Sequence, residues 1–561
     1  MDKFWIFGAG RNAQSCIRNL KCFLDIEYIL DNDINKHGKK IEGIEINSSE
    51  ILKSEKYIGQ KIIISVTNRE VLQSIFNELD KIGLHKGSDY FEAVNIVNMF
   101  SDRISVLSGP KPEINGYVWS KGIDAKSRLL ISKSEKRIYR VVEQQYYAQY
   151  FNVFSVCKQS GILGKDIVGT LLSNDFKELK NELVLEHDFI EPISYCYEWN
   201  PKMFKDYVLF MLQLILKLTQ LNLGLEDGHA LNVTFYRGRF MLVDFGALKD
   251  GITKPIILIE MLNTHVLPLI LIMKNQIDKA YLFIKNADIC YSPLDIIGYI
   301  NKEELKALLK LYEMAVLCNT KEDIICLLGN IREYIDNFDV VTQKTRWDGY
   351  QDDEWEKSDD KTLWSSKMVN VIAALEKLRP KTVIDLAGNM VWYGSYLREK
   401  LDYAIIVDVD TTCLGVLWDK IKDNKMVNIV PVYMSLCAPS LDYYKDYPIA
   451  NSSITAWRKS AIARFKSDVV IALAIVHHLA FSQQLSFKEI IGQFELFSNK
   501  YLIVEFIDKK DYYIRDFSKQ GFDWYTKENF ERELKKRFEI LDIKTSTPSE
   551  TRWIYIAQKV Q

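Results

Sequence analysis

The 561-residue sequence predicts a multidomain α/β protein, and three observations carry that prediction. A strand, a glycine turn and a helix-like segment open the chain, which is the grammar of a parallel sheet. The same grammar returns in the last third. Between them lies a stretch of different character, with a hairpin, one long apolar helix and a short buried strand ending in Asp-Phe-Gly. A chain of this length exceeds a single core of about 100–200 residues, so three or four domains are expected.

The opening grammar is read from FWIFGAG, a helix over 11–24, IEYILDND and KIIISV (Lys61 to Val66). Gly8-Ala9-Gly10-Arg11-Asn12-Ala13 spells G-x-G-x-x-A between strand and helix, and Asp31 ends the second strand about twenty residues on, which is the dinucleotide fingerprint in its proper context. This region stops near residue 100 with three or four strands, short of a full dinucleotide fold.

The middle stretch contains RLLISKSEKRIYRVV, a hairpin turning near Ser134 and Glu135, and an apolar-periodic helix from Met203 to Leu221. Residues 251–345 read as mostly helical. Asp227 and Asn232 follow the long helix on a loop, and Asp244 ends the strand GRFMLVDFG. Phosphoryl transfer uses this spacing: one Asp orients a hydroxyl nucleophile, while Asn and a second Asp hold Mg²⁺ against phosphates. The upstream lysine strand and glycine-rich loop are missing. KRIYRVVE offers Arg140 or Lys136 but no lysine in a V-A-I-K setting.

The polar, acidic and aromatic run TRWDGYQDDEWEKSDD (Thr345 to Asp360) marks a boundary. After it come a helix from Ser365 to Leu378 and the strands KTVIDLAGN, YAIIVDVD, VNIVPVYMSL, DVVIALAIVHHL and YLIVEFI. In a doubly wound sheet, ligands sit at the carboxyl ends of strands. Val383 to Gly388 runs into a small-residue turn, where backbone N–H groups can approach a ligand. Asp408 ends the next strand and suits a ribose diol. Asp468 starts the fourth strand, His477 and His478 end it, and Glu505 ends the fifth.

Composition narrows the function classes. With 73 basic and 75 acidic residues the net charge is −2, so no overall basic excess points to nucleic acid. The nine cysteines form no C-x-x-C pair and their number is odd, which predicts free thiols and argues against zinc or a disulfide framework. MDKFWIFGAG enters a strand at once, with no apolar leader, so a cytoplasmic protein is expected. The most apolar run, Pro255 to Met273, contains Glu260, Asn263, His265 and Pro268 and predicts a buried helix pair, not a membrane span. Oligomeric state has no signature in the sequence.

The ordered set IDLAGN, VDVD, DVVIALAIVHHL, LIVEF and a late F-x-x-x-L region resembles class I S-adenosylmethionine (SAM)-dependent methyltransferases, in particular a bacterial group related to nodulation methyltransferases with an LA-x-x-HHL strand and an EF strand. The chain departs from that family at Gly388-Asn389-Met390, where G-x-G is usual and a glycine returns only at Gly394, and at Ser435, where many relatives carry an acid. The resemblance implies SAM held by Asp385, Gly388, Asn389, Asp408 and Asp468, with catalysis near His477, His478 and Glu505. It also implies a small-molecule or glycan-like acceptor, as in bacterial surface polysaccharide biosynthesis.

The middle region resembles kinase-like folds of the aminoglycoside phosphotransferase type. That resemblance implies Asp227 as base, Asn232 and Asp244 as metal ligands, and ATP with Mg²⁺. The missing lysine and glycine loop predict weak or absent ATP binding. The first region resembles short Rossmann-like domains of sugar-pathway enzymes. There Gly8, Gly10 and Asp31 either hold a nucleotide or nucleotide-sugar or form a turn that only packs the helix. The expected architecture is therefore a Rossmann-like domain (1–110), a central kinase-like α+β domain (111–345) and a C-terminal doubly wound methyltransferase domain (346–561). A bifunctional methyltransferase–kinase and a non-catalytic scaffold with decayed nucleotide sites are the competing readings.

Overall fold

Lys3–Phe7 forms strand β1 because Phe4, Trp5, Ile6 and Phe7 are all buried, as an inner parallel strand requires. Around it the computed structural model builds a six-stranded sheet from β1, β2 (Asp25–Leu30), β3 (Lys40–Ile41), β4 (Ile44–Asn47), β5 (Lys61–Ile64) and β6 (Tyr90–Glu92), in the order β3-β4-β2-β1-β5-β6. All pairs are parallel except the β3–β4 hairpin. The sheet exceeds the three or four strands expected, because β3 and β6 are too short to show periodicity. Helix Arg69–Lys81 is capped by Asn68, whose Oδ1 accepts the N–H groups of Glu70 and Val71. The short strands β7 (Val118–Trp119) and β8 (Ser127–Ser132) pair antiparallel.

The structure describes residues 3–10, 13, 16–17, 25–66, 68–86, 88–93, 114–119, 126–132, 134–179, 182–286, 291–337, 340, 345, 360–389, 392–440, 459–515 and 522–560. Most of the expected helix over 11–24 and most of the boundary run after Thr345 lie outside these residues. The chain divides into two compact units, one over Met1–Glu135 and a larger one over Lys136–Asp446 and Arg458–Gln561.

The larger unit begins with the antiparallel strands β9 (Arg137–Val142), β10 (Thr170–Leu172) and β11 (Leu183–His187), paired β10-β11-β9. Helix Tyr147–Ser160 follows β9 and stops at Gly161, in the left-handed conformation that glycine takes without strain. The expected long helix spans Pro201–Gln220, with proline in its first turn and Asn200 as its cap. Two small hairpin-like pairs follow: β12 (Leu223–Leu225) with β15 (Leu248–Asp250), and β13 (Val233–Tyr236) with β14 (Arg239–Leu242). Pro255–Met273 is one helical run broken by a π turn at Leu262–Val266, where a helix pair was expected. It is long and apolar enough to cross a membrane, and most of it is buried inside this unit.

The last part of the unit is a seven-stranded sheet of β16 (Thr382–Leu386), β17 (Tyr403–Asp408), β18 (Ile429–Tyr433), β19 (Ser467–Ala472), β20 (Ser498–Ile507), β21 (Phe538–Thr545) and β22 (Arg552–Lys559). Its order is β18-β17-β16-β19-β20-β22-β21, and only β22 runs against its neighbours. The order steps outward from β16 in both directions, which opens a crevice at the carboxyl ends of β16 and β19. One expectation is corrected here. DVVIALAIVHHL is not all strand: β19 stops at Ala472, Ala474 takes a left-handed conformation, and His477 and His478 lie on helix Val476–Phe481. The break has a physical cause, because the Ala474 N–H donates to the Glu505 carboxylate at 3.0 Å and so leaves the ladder.

The middle elements and the seven-stranded sheet share one core. Trp418 packs edge-on against Phe235 and donates its indole N–H to Asp206 at 2.8 Å.

Candidate functional site

A cavity of about 950 Å³ lies at the carboxyl ends of β16, β17, β18 and β19. It is lined on one side by Asp385, Gly388, Asn389, Asp408 and Met434, and on the other by His477, His478, Tyr513 and Arg552. The turn after β16 places Gly388, whose N–H donates to the Val407 carbonyl at 3.1 Å. The left-handed positions of this turn are Ala387 and Asn389, at φ of 60° and 52°. Asn tolerates that region and Ala does so at a cost of about 1–2 kcal/mol. Asn389, the middle residue of the turn, therefore takes this backbone readily, and Met390, where the motif carries its second glycine, lies outside the described residues.

Asp408 ties the turn down. Its Oδ2 accepts the Asn389 N–H and its Oδ1 the Asp410 N–H, each at 2.9 Å. Burial holds this carboxyl above the ordinary range against those hydrogen bonds. A carboxylate has about four acceptor sites, so Asp408 keeps acceptor capacity beyond these two bonds. Asp410 caps helix Thr411–Asp423 through the N–H groups of Thr412 and Cys413. Asp385, inside β16, is pushed up to about 8 by burial, with Lys367 opposing and Asp408 adding to the shift.

Lys367, Arg552 and Asp511, which had not been assigned to the site from sequence, complete its electrostatics together with His477. Lys367, at the start of helix Ser366–Leu378, pairs with the fully buried Glu505 at 2.9 Å. Arg552 grips Asp511 with two bonds of 2.8 and 3.0 Å, and Asp511 drops to about 2, its burial being outweighed by Arg552 and the Thr551 hydroxyl. His477 is 6% exposed, and burial, with His478, Arg552 and Lys367 around it, lowers its pKa to about 3. Its imidazole is neutral at physiological pH, and its buried Nδ1 has no hydrogen-bond partner. A lysine in the first turn of a helix and an arginine opening a last strand have no motif, so the sequence had no signal for them.

Two expected site residues fall elsewhere. Asp468 sits at the amino end of β19, away from the cavity, bonded to the Lys381 N–H and paired with Lys500. Glu505 lies in β20 rather than at its end, does not line the cavity, and braces the turn that carries His477.

In the middle region, Asp227 accepts the His229 N–H, and the Asn232 carbonyl accepts the Val243 N–H next to Asp244. Asp244 Oδ1 receives the Gly246 N–H at 2.8 Å and the Arg140 guanidinium at 2.5 Å. A Cβ on Gly246 would meet Arg140 Nη1 at 2.6 Å, so the glycine of Asp-Phe-Gly makes room for this arginine. Lys136 is engaged by Glu191 at 2.8 Å. Mg²⁺ does not fit this arrangement. The Arg140 guanidinium already pairs with the Asp244 carboxylate. Glu260 is raised to about 7 by burial and the nearby Asp227 charge.

At the first glycine turn, the Ala9 N–H donates to Asp31 at 2.6 Å and Lys36 pairs with the same oxygen at 3.1 Å. Gly8 is at φ 104°, and a Cβ there would collide with Val66 at 2.6 Å, whereas Gly10 faces open space.

No family model matches the chain. It is 24% identical over 418 residues to the nodulation protein NoeA of Rhizobium meliloti (strain 1021), covering 67% of this chain and 82% of that protein. Among solved structures it is similar to the N-methyltransferase NodS of Bradyrhizobium japonicum WM9, at 9% identity and a TM-score of 0.27, over 38% of this chain and 99% of NodS. It is also similar to the magnesium protoporphyrin IX methyltransferase ChlM of Synechocystis PCC 6803 with bound SAM, at 12% identity and a TM-score of 0.25, over 48% of this chain and 98% of ChlM.

Proposed function

We propose that the seven-stranded region is a class I methyltransferase domain that uses SAM to methylate a small hydroxylated or glycan-like acceptor. One observation carries the reading: Asp408, at the end of β17, fastens the Gly388 turn and lines a cavity of about 950 Å³ at the switch point of a doubly wound sheet. That volume is at the upper end of the usual range for ligand pockets, which leaves room for a cofactor and a second molecule.

When bound, SAM supplies a methyl group on a sulfonium, an electrophile that needs a well-placed nucleophile more than it needs acid or base. Asp408 offers its remaining lone pairs to a ribose diol. Asp385 is a buried carboxyl whose ionised form is restored by a cation, so it suits the positive end of the cofactor. On the acceptor side, the carboxylates nearest His477 are already paired with Lys367 and Arg552. A neutral imidazole suits a hydroxyl, which can donate or accept, better than it suits an ammonium. His477 therefore orients the acceptor and does not store its proton. Asp227, Asn232 and Asp244 carry no phosphoryl transfer in this account, because Arg140 holds Asp244. A cytoplasmic role in surface polysaccharide metabolism completes the proposal.

Calorimetry of the full chain tests it. SAM and its demethylated product, S-adenosylhomocysteine, are expected to bind one per chain, and ATP–Mg²⁺ is expected not to bind. Binding of ATP–Mg²⁺ beside SAM would favour the bifunctional reading, and binding of none of the three would favour a scaffold.

A further inference from the structure

Resting on the methyltransferase reading, we infer that the middle region forms part of the cofactor site: Glu198, working through Arg464 and Ser440, positions the loop that walls the adenine side of the cavity. That loop runs from the end of β18 to Ser440, and its residues Met434, Ser435, Leu436 and Cys437 line the cavity. Its near end is fixed by the seven-stranded sheet, where the Met434 N–H donates to the Asp408 carbonyl at 3.0 Å. Its far end is held from both sides: the Ser440 carbonyl accepts the Ala461 N–H at 2.8 Å within the seven-stranded region, and the Ser440 side chain reaches the middle region. The Ser440 hydroxyl donates to Glu198 Oε1 at 3.0 Å, and Arg464 Nη2 donates to Ser440 Oγ at 3.0 Å.

Glu198 and Arg464 are themselves a buried, two-pronged pair, at 2.8 and 2.5 Å, with both side chains almost wholly out of solvent. The guanidinium also donates to the Ile193 carbonyl at 2.7 Å and lies over the Tyr195 ring. Tyr195 Oη accepts the Lys459 N–H. Glu198, on the short helix Cys196–Glu198 of the middle region, and Arg464, on helix Ala461–Phe465 of the seven-stranded region, thus form a clamp that holds Ser440 of the wall loop. A second contact points the same way: Tyr281 packs against Tyr433, the last residue of β18, with ring centres 4.7 Å apart. An ion pair that served only to join two regions would not need to be tied to a loop that lines a ligand cavity. Lys202 with Asp419 is such a plain join, on the outer helix Thr411–Asp423. Glu198 is a positioning residue, because it acts through the loop and touches no ligand itself.

The test measures S-adenosylhomocysteine and 5′-methylthioadenosine affinity by calorimetry on the full chain. In Glu198→Gln and Ser440→Ala both ligands should weaken by the same factor, about three- to thirty-fold, since they share the adenosine that the wall holds. Lys202→Ala should bind both as the parent does. Ser440→Ala leaves the ion pair intact, so it decides the matter if Glu198→Gln does not fold. Parent-like affinity in Ser440→Ala, or equal losses in Lys202→Ala, overturns the inference while leaving the cofactor site standing. If the unaltered chain binds neither ligand, the methyltransferase reading fails and this inference fails with it.

Discussion

The chain contains two glycine turns built on one plan, and they differ in what surrounds the acid. In each, a parallel strand runs into a small-residue turn, and an acid ending the neighbouring strand accepts a backbone N–H from that turn: Ala9 to Asp31 at 2.6 Å, and Asn389 to Asp408 at 2.9 Å. Lys36 then pairs with Asp31, and burial is outweighed by the Ala9, Asp33 and Lys36 bonds, so that carboxyl falls below its ordinary range. Asp408 has backbone partners and buried surroundings, and it rises above the ordinary range. A fingerprint of glycines and an acid therefore specifies a turn. Whether the acid is left for a ligand depends on the next charged side chain.

The largest expected effect comes from breaking that comparison at the acid. Asp408→Ala should cost about 1.5–3 kcal/mol of SAM affinity, or roughly ten- to a hundred-fold, if the ribose contacts are charge-assisted. Asp31→Ala should leave SAM affinity untouched and show only a loss of stability of about 1 kcal/mol in urea melts. Equal SAM affinity in parent and Asp408→Ala would point to Asp410 or to no site.

Next is Arg140, which does for Asp244 what Lys36 does for Asp31. Arg140→Met should lower stability by about 1–2 kcal/mol, the figure being reduced because Asp244 is partly in solvent. It should not create ATP–Mg²⁺ binding. Appearance of such binding in the variant would mean that the arginine blocks an otherwise complete metal site.

Asp385 gives a pH-dependent test. Its pKa in the fold, about 8, lies above the unfolded value of about 3.9, so the folded state binds the proton more tightly. Stability linked to this group is fully present below about pH 3.9 and is lost as pH rises through about 8. Asp385→Asn should therefore melt higher than the parent by a margin that grows from pH 4 to pH 8, while binding SAM several-fold more weakly. A constant margin would show that the group is not buried as a neutral acid.

The smallest effect concerns His477. Because its pKa lies near 3, ionisation of this imidazole should leave methyl-transfer rates flat between pH 5.5 and 8. A rate that follows a single ionisation near 6.5 and loses that dependence in His477→Asn would make it a general base.

Much of the seven-stranded region was legible because its inner strands are continuous apolar runs, which parallel strands buried on both faces require. Asp408 and Gly388 were legible because they end such runs. His477 and His478 were misplaced onto the strand because Leu473 to Val476 continues the apolar run, and the break is made by Glu505, distant in sequence. Asp468 was placed in the site through the resemblance although it starts its strand, and ligands gather at strand carboxyl ends. In the middle region the spacing of Asp227, Asn232 and Asp244 was readable, whereas the Arg140–Asp244 pair joins residues 104 positions apart and leaves no local pattern.

The most direct test of the account is a crystal structure of the full chain grown with S-adenosylhomocysteine. The ribose hydroxyls are expected within hydrogen-bonding distance of Asp408 and the adenine beside Met434 to Cys437. The ligand bound at the Gly8 and Asp31 turn, or a cavity at β16 to β19 that stays empty at saturating ligand, would contradict it.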